Sequence, residues 1–214
     1  AQKAGNRATV LNNFDSSLRE MPGAVAGSTT LAIVTGPNGM GKSTYLRAVL
    51  TSALLAQTLG IAPATIYQSV PYTLFGTYMN VTDAPDSLQS LFQHEFNLLE
   101  ELISTLKEHQ GRSLIGIDEP AKGSIPQMTE MAVDILLREL ETIPNVTGIV
   151  ATHCQKAINI AQQNPWVYAC YHVITDFSQG TITPTYKIGI GAATDWFNNP
   201  DLRNAVIQSL IRKK

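Results

Sequence analysis

Residues 35 to 44 read Thr-Gly-Pro-Asn-Gly-Met-Gly-Lys-Ser-Thr. From Gly36 to Ser43 the run has the spacing G-x-x-x-x-G-K-[ST], in which close glycines let the backbone curl until successive amides face one point. The residues of that curl are Gly36, Pro37, Asn38, Gly39, Met40, Gly41, Lys42, Ser43 and Thr44. An anion held there gains from the amides and from the positive end of the helix that starts at the loop. Lys42 adds a point charge suited to β and γ phosphates, and Ser43 a hydroxyl suited to Mg²⁺. The chemistry expected is capture of a nucleoside triphosphate with Mg²⁺.

A second group follows in Ser113-Leu114-Ile115-Gly116-Ile117-Asp118-Glu119. An apolar strand that ends in two carboxylates, downstream of a phosphate-binding loop, fits a metal-shell Asp118 followed by a Glu119 that orients or deprotonates water. Adjacent strand residues point to opposite faces, so the pair must sit where the strand ends and the backbone turns. Pro120 is consistent with such an end. A third polar group closes Gly148-Ile149-Val150-Ala151-Thr152-His153, and from a strand beside the loop strand His153 can reach a terminal phosphate. The sequence suggests hydrolysis as well as binding.

The elements that must position these groups alternate. The reading is a strand over 31–34, a helix over 42–59, an extended segment over 66–75 and a helix over 86–109 capped by Asp86 or Ser87. A strand over 113–119, a helix over 126–142 opened by Pro126 and a strand over 148–153 come next. A hairpin over 167–177 and 181–188, turning at 178–180, and a helix over 200–211 close the chain. Apolar strands between helices imply a mostly parallel sheet covered on both faces. Residues 1–29 read as a lead-in with a short strand near 9–11, and 30–214 as the domain.

Composition narrows the class. In 214 residues, 44% are hydrophobic and 15% charged, enough apolar material for one large core. A net charge of −2 argues against a broad basic face that grips nucleic acid. Cys154 and Cys170 lack metal or redox spacing and read as reduced thiols of a cytoplasmic or nuclear protein. No apolar run is long enough to span a membrane, and the start at Ala1 fits an excised or processed piece.

Taken together, the loop, Asp118-Glu119 and Ala151-Thr152-His153 resemble the ATPase domain of the MutS family of DNA mismatch repair proteins, related to the ABC-type ATPases. Thr35 to Asn38 and Lys42 to Arg47 are similar to the family's TGPNxxGKSTYxR. Ser90-Leu91-Phe92-Gln93-His94-Glu95 is similar to S-T-F-x-x-E, and Asp118 to Ser124 to D-E-x-x-R-G-T. The resemblance implies a P-loop NTPase fold of ABC type and ATP with Mg²⁺ as ligands. It implies Ser43 and Asp118 at the metal, and Glu119, His153, Lys42 and Asn38 at the reacting phosphate. It also implies Ser90 reaching the nucleotide of a neighbouring subunit in a homodimer or heterodimer. Mismatched DNA would be held by domains absent from this chain. Phe14 is the residue proposed to stack on adenine. Leu91 and Lys122 differ from the family's small hydroxyl residue and arginine. Two alternatives therefore stay open: another ABC-type ATPase head, although no L-S-G-G-Q precedes the acidic strand, and a nucleotide-gated dimerisation module.

Overall fold

A computed structural model of the chain describes residues 29–79, 88–176 and 183–191, with no side chains described at 88–92. Ten elements run β1 (Thr30–Thr35), α1 (Lys42–Leu59), β2 (Leu74–Tyr78), α2 (Leu88–Glu108), β3 (Ser113–Asp118), α3 (Pro126–Thr142), β4 (Val146–Ala151), α4 (Gln155–Gln163), β5 (Tyr168–Asp176) and β6 (Thr183–Ile190). The strands form one sheet in the order β2-β3-β4-β1-β5-β6, with every pairing parallel except β5 with β6. The expected α/β architecture, mostly parallel and flanked by helices, is what the chain adopts.

Alternation along the strands explains why helices cover both faces. On β1, Leu31 and Ile33 join the core shared with α2, α3 and α4, whereas Ala32 and Val34 join the core against α1. Val150 of β4 joins the first core, and Ile149 and Ala151 the second. Such strands are buried on both faces and largely apolar, as β1 and β4 are, with Thr35 and Thr147 as buried polar exceptions. Gly116 of β3 permits the close approach of α1. A Cβ there would lie 2.5 Å from Leu50 Cδ1 and 2.8 Å from Leu46 Cδ2.

Helix ends follow local chemistry. α1 stops at Gly60, whose φ of 69° suits a residue without Cβ and whose amide bonds the Ala56 carbonyl. α3 opens at Pro126, where a missing N–H costs nothing.

Three expectations needed correction. Of the extended segment 66–75, only Leu74 and Phe75 belong to a strand. β2 starts only at Leu74, where parallel pairing with Ser113 of β3 begins. Ile66 is 80% and Val70 49% exposed, so their β-branched character finds no sheet to bury it. The strand expected over 148–153 lies at Val146–Ala151, which leaves His153 beyond its end. Helix α4, with Ala157, Ile158, Ile160 and Ala161 buried, was not foreseen, although its spacing of small and branched apolar residues carries the signal. The expected hairpin is present as β5 and β6. Its turn at 178–180, the caps at 86–87, the lead-in strand near 9–11, Phe14 and the helix over 200–211 lie outside the described residues.

Candidate functional site

Parallel register brings the ends of β1, β3 and β4 to one edge of the sheet. Ala151 pairs with both Val34 and Asp118. Two backbone bonds extend the alignment past the strands: the Glu119 amide to the Ala151 carbonyl at 2.8 Å, and the Thr152 amide to the Val34 carbonyl at 3.0 Å. Three segments far apart in sequence, 36–44, 118–119 and 152–153, therefore leave the sheet side by side. His153 stands next to the loop strand, as its sequence position suggested.

The loop after β1 is a tight curl. Gly36, Gly39 and Gly41 have φ of 137°, 77° and 102°, a region open mainly to glycine. Gly36 also has no room for a side chain, since a Cβ would meet Val173 Cγ2 at 2.1 Å. Lys42 is 4% exposed and turns back over the loop. Its ammonium donates to the carbonyls of Gly36 at 2.8 Å and Pro37 at 3.1 Å, and to Asn38 Oδ1 at 3.2 Å. The same nitrogen lies 3.0 Å from Glu119 Oε1. That oxygen has no aligned hydrogen bond, so the contact is an ion pair by proximity. Glu119 Oε2 pairs with His153 Nδ1 at 2.7 Å. Lys42, Glu119 and His153 thus form one row across the strand ends.

Glu119 reaches this position through strain. Its φ is 49° and that of Ala121 is 58°, left-handed values costly for residues with a Cβ. The turn at the strand end swings Glu119 out of the pleat, so that it and Asp118 both line a cleft of about 420 Å³. Asn38, Gly39, Gly41, Lys42, Ser43 and Thr44 line the same cleft. Met40 instead packs on the α1-side core. Asp118 Oδ1 is buried without a hydrogen-bond partner. A hard cation with Ser43 and Asp118 among its oxygen ligands would satisfy it. Among the described residues no group of three His, Cys, Asp or Glu could hold a metal by itself. A cation here would draw its remaining ligands from a bound anion and water.

Other lining residues were not singled out from the sequence. Tyr78 ends β2, and its hydroxyl is buried without a hydrogen-bond partner. Burial, helped by the nearby Glu95 charge, pushes its phenol pKa up. Glu95 of α2 is buried at the cleft wall. Burial pushes its carboxyl pKa up, against the Gly123 amide and the positive charge of His94 and Lys122. Tyr186 has a φ of 57° on β6, where the register between Ile174 and Thr175 shifts and leaves extra residues on that strand. Its ring Cδ1 would lie 3.0 Å from a Cβ on Gly41, and the side chain is half-exposed. No motif announces this tyrosine; only the bulge brings it to the loop. Ser90 belongs to the first turn of α2, and its side chain lies outside the described residues. Cys154 and Cys170 are both free thiols, and Cys154, next to His153, is buried.

These features define an α/β domain whose parallel sheet gathers a glycine-rich curl, a buried ammonium and two carboxylates at one edge, compatible with a phosphate-binding domain of P-loop type. The chain matches the family model MutS domain V over residues 32–199, and it belongs to that family. It is 30% identical over 198 residues to the DNA mismatch repair protein Msh6 of Homo sapiens, covering 87% of this chain and 14% of that protein. It is 27% identical over 164 residues to the DNA mismatch repair protein MutS of Natronomonas pharaonis, covering 75% of this chain and 18% of that one. The same identity and length relate it to the endonuclease MutS2 of Thermomicrobium roseum, covering 75% of this chain and 20% of that protein. The chain thus spans a fifth or less of the length of these relatives. Among the described residues no helix is long and apolar enough to cross a membrane.

Proposed function

We propose that the chain binds ATP with Mg²⁺ and hydrolyses it, as the ATPase domain of a MutS-like DNA mismatch repair protein. The observation that carries this reading is the row Lys42–Glu119–His153 at the mouth of the glycine curl. A buried ammonium 3.0 Å from a carboxylate is a charge pair that an incoming phosphate would open, freeing the carboxylate for water. Similarity to DNA mismatch repair proteins over most of the chain supports the biological setting.

Each residue then has a task. The amides of 38–44 and Lys42 hold the β and γ phosphates, so the reacting phosphorus is fixed before any bond changes. Ser43 and Asp118 would hold Mg²⁺, which would supply charge neutralisation at the phosphates. Glu119 accepts a hydrogen bond from the attacking water, with Asn38 helping to place it. His153, already paired with Glu119, steadies that carboxylate and faces the γ phosphate. The half-exposed Tyr186 ring supplies a surface on which the adenine can stack.

In this reading Ser90, at the start of α2, completes the site of a neighbouring head, so hydrolysis needs a homodimer or heterodimer. ATP-driven pairing would then be passed to DNA-holding domains outside this chain. The fold relationship would be to ABC-type ATPases, and the setting cytoplasmic or nuclear. Lys122, at the cleft wall in place of an arginine, favours a second reading, a nucleotide-gated dimerisation module with weak turnover.

The test is ATP turnover against protein concentration, with Glu119→Gln beside the wild type. Specific activity should rise as heads pair, and Glu119→Gln should hold ATP uncleaved. Flat, negligible turnover with concentration-dependent dimerisation on ATP would favour the second reading. Unchanged turnover in Glu119→Gln would remove Glu119 from the water-orienting role.

A further inference from the structure

Glu95 lies in the third turn of α2 and is 4% exposed. Its Oε2 accepts the Gly123 amide at 3.2 Å. Gly123 belongs to the segment 119–125 that joins β3 to α3 and carries Glu119. Two left-handed residues, Glu119 and Ala121, shape this segment, and such a shape persists only where surrounding groups hold it. Three side-chain or backbone tethers stand out. The Glu119 amide bonds the Ala151 carbonyl, and the Thr129 hydroxyl donates to the Ala121 carbonyl at 3.0 Å. Those two come from β4 and α3. The third, from Glu95, is supplied by α2. It ties the Glu119 segment to α2, as the Lys42–Glu119 ion pair ties it to α1.

α2 begins at Leu88, so its first turn contains Ser90, and Glu95 follows on the same rigid rod. Tyr78, buried at the end of β2, lies close enough to Glu95 for the carboxylate charge to act on its phenol. We infer that Glu95 is a positioning residue: it holds the Gly123 amide, so that a displacement of the start of α2 is passed to the segment presenting Glu119. The inference rests on the proposed role of Glu119 toward water and extends it by naming the part that links a partner's approach at α2 to that role. A carboxyl or an amide oxygen can serve equally as acceptor, whereas a methyl cannot.

Glu95→Ala and Glu95→Gln, compared with the wild-type chain, separate the possibilities. Amide exchange over 119–125 reads the tether without reference to nucleotide, ATP turnover reads its consequence, and thermal melting confirms that each variant is folded. In Glu95→Ala, exchange at Gly123 should quicken and kcat fall, each on the order of tenfold, with KM within about twofold. Glu95→Gln should stay within about twofold of wild type in both. Unchanged exchange in Glu95→Ala overturns the tether, as does an equal loss in Glu95→Gln. Faster exchange with unchanged kcat overturns the positioning role. Faster exchange in Glu95→Ala but not in Glu95→Gln, with no turnover by the wild-type chain at any concentration, supports the tether and refutes the hydrolytic reading.

Discussion

Lys42 and Glu119 are 4% and 12% exposed and 3.0 Å apart, so each is the other's main counter-charge in the absence of ligand. At an effective dielectric of 20, two unit charges at that separation attract by about 5 kcal/mol. Desolvation of both groups cancels much of this, which leaves a coupling of about 2 kcal/mol as the expected net value. Lys42→Met keeps the aliphatic stem but strands Glu119 beside His153 alone, and should destabilise the chain by about 3 kcal/mol. In a chain of this size that corresponds to a fall in Tm of about 6–12 °C. Glu119→Gln keeps an acceptor for the ammonium and should cost about 1–2 kcal/mol. The double variant should cost about 2 kcal/mol less than the sum, because the second change removes a charge the first had already stranded. Urea unfolding of all four proteins without nucleotide measures the cycle. Additivity within about 0.5 kcal/mol would refute the claim that the two groups form a coupled pair.

Other consequences follow from single contacts. Gly36→Ala must fit a Cβ 2.1 Å from Val173 Cγ2 at a φ of 137°; it should lower stability by about 2–3 kcal/mol and weaken binding of a fluorescent ATP analogue, both readable in one titration series. Removal of the ring in Tyr186→Ala should weaken ATP binding about five- to tenfold while leaving affinity for inorganic triphosphate unchanged, since stacking involves only the base. Equal weakening for both ligands would place the ring elsewhere. The Glu95 carboxyl has a folded pKa raised above 4.5 by burial, so the native state binds the extra proton more tightly than the unfolded chain. Its contribution is therefore lost as pH rises through that raised value. Glu95→Gln should match the wild-type Tm near pH 4 and exceed it at pH 7, with His94, Lys122 and Tyr78 as the neighbouring groups that modulate the gap. A gap that stays constant with pH would contradict the assigned shift.

Much of the fold was readable because it rests on local patterns. Helix α1 runs from Lys42 to Leu59 and α3 from Pro126 to Thr142, the bounds read from the residues, with Pro126 opening α3. β3 ends at Asp118 with Glu119 already turning, as two adjacent carboxylates with one destination require. The misplacement of β2 has the opposite cause. Residues 66–70 look like a strand by composition, but pairing partners decide where a strand forms, and Ser113 meets Leu74. Helix α4 escaped the reading because it is only nine residues long, although its buried positions are regularly spaced.

From its residues alone this chain determined a glycine-rich curl, a lysine at its end and an acidic pair downstream, since those depend on glycine, lysine and strand-end chemistry within a few consecutive positions. Which groups meet across the cleft was decided only by the folded sheet. Parallel pairing of β1, β4 and β3 puts Lys42, Glu119 and His153 within hydrogen-bonding reach. A bulge in β6 swings Tyr186 to the loop, and the docking of α2 gives Glu95 a backbone amide 28 residues away. Such contacts depend on register and packing, which no short stretch of sequence encodes.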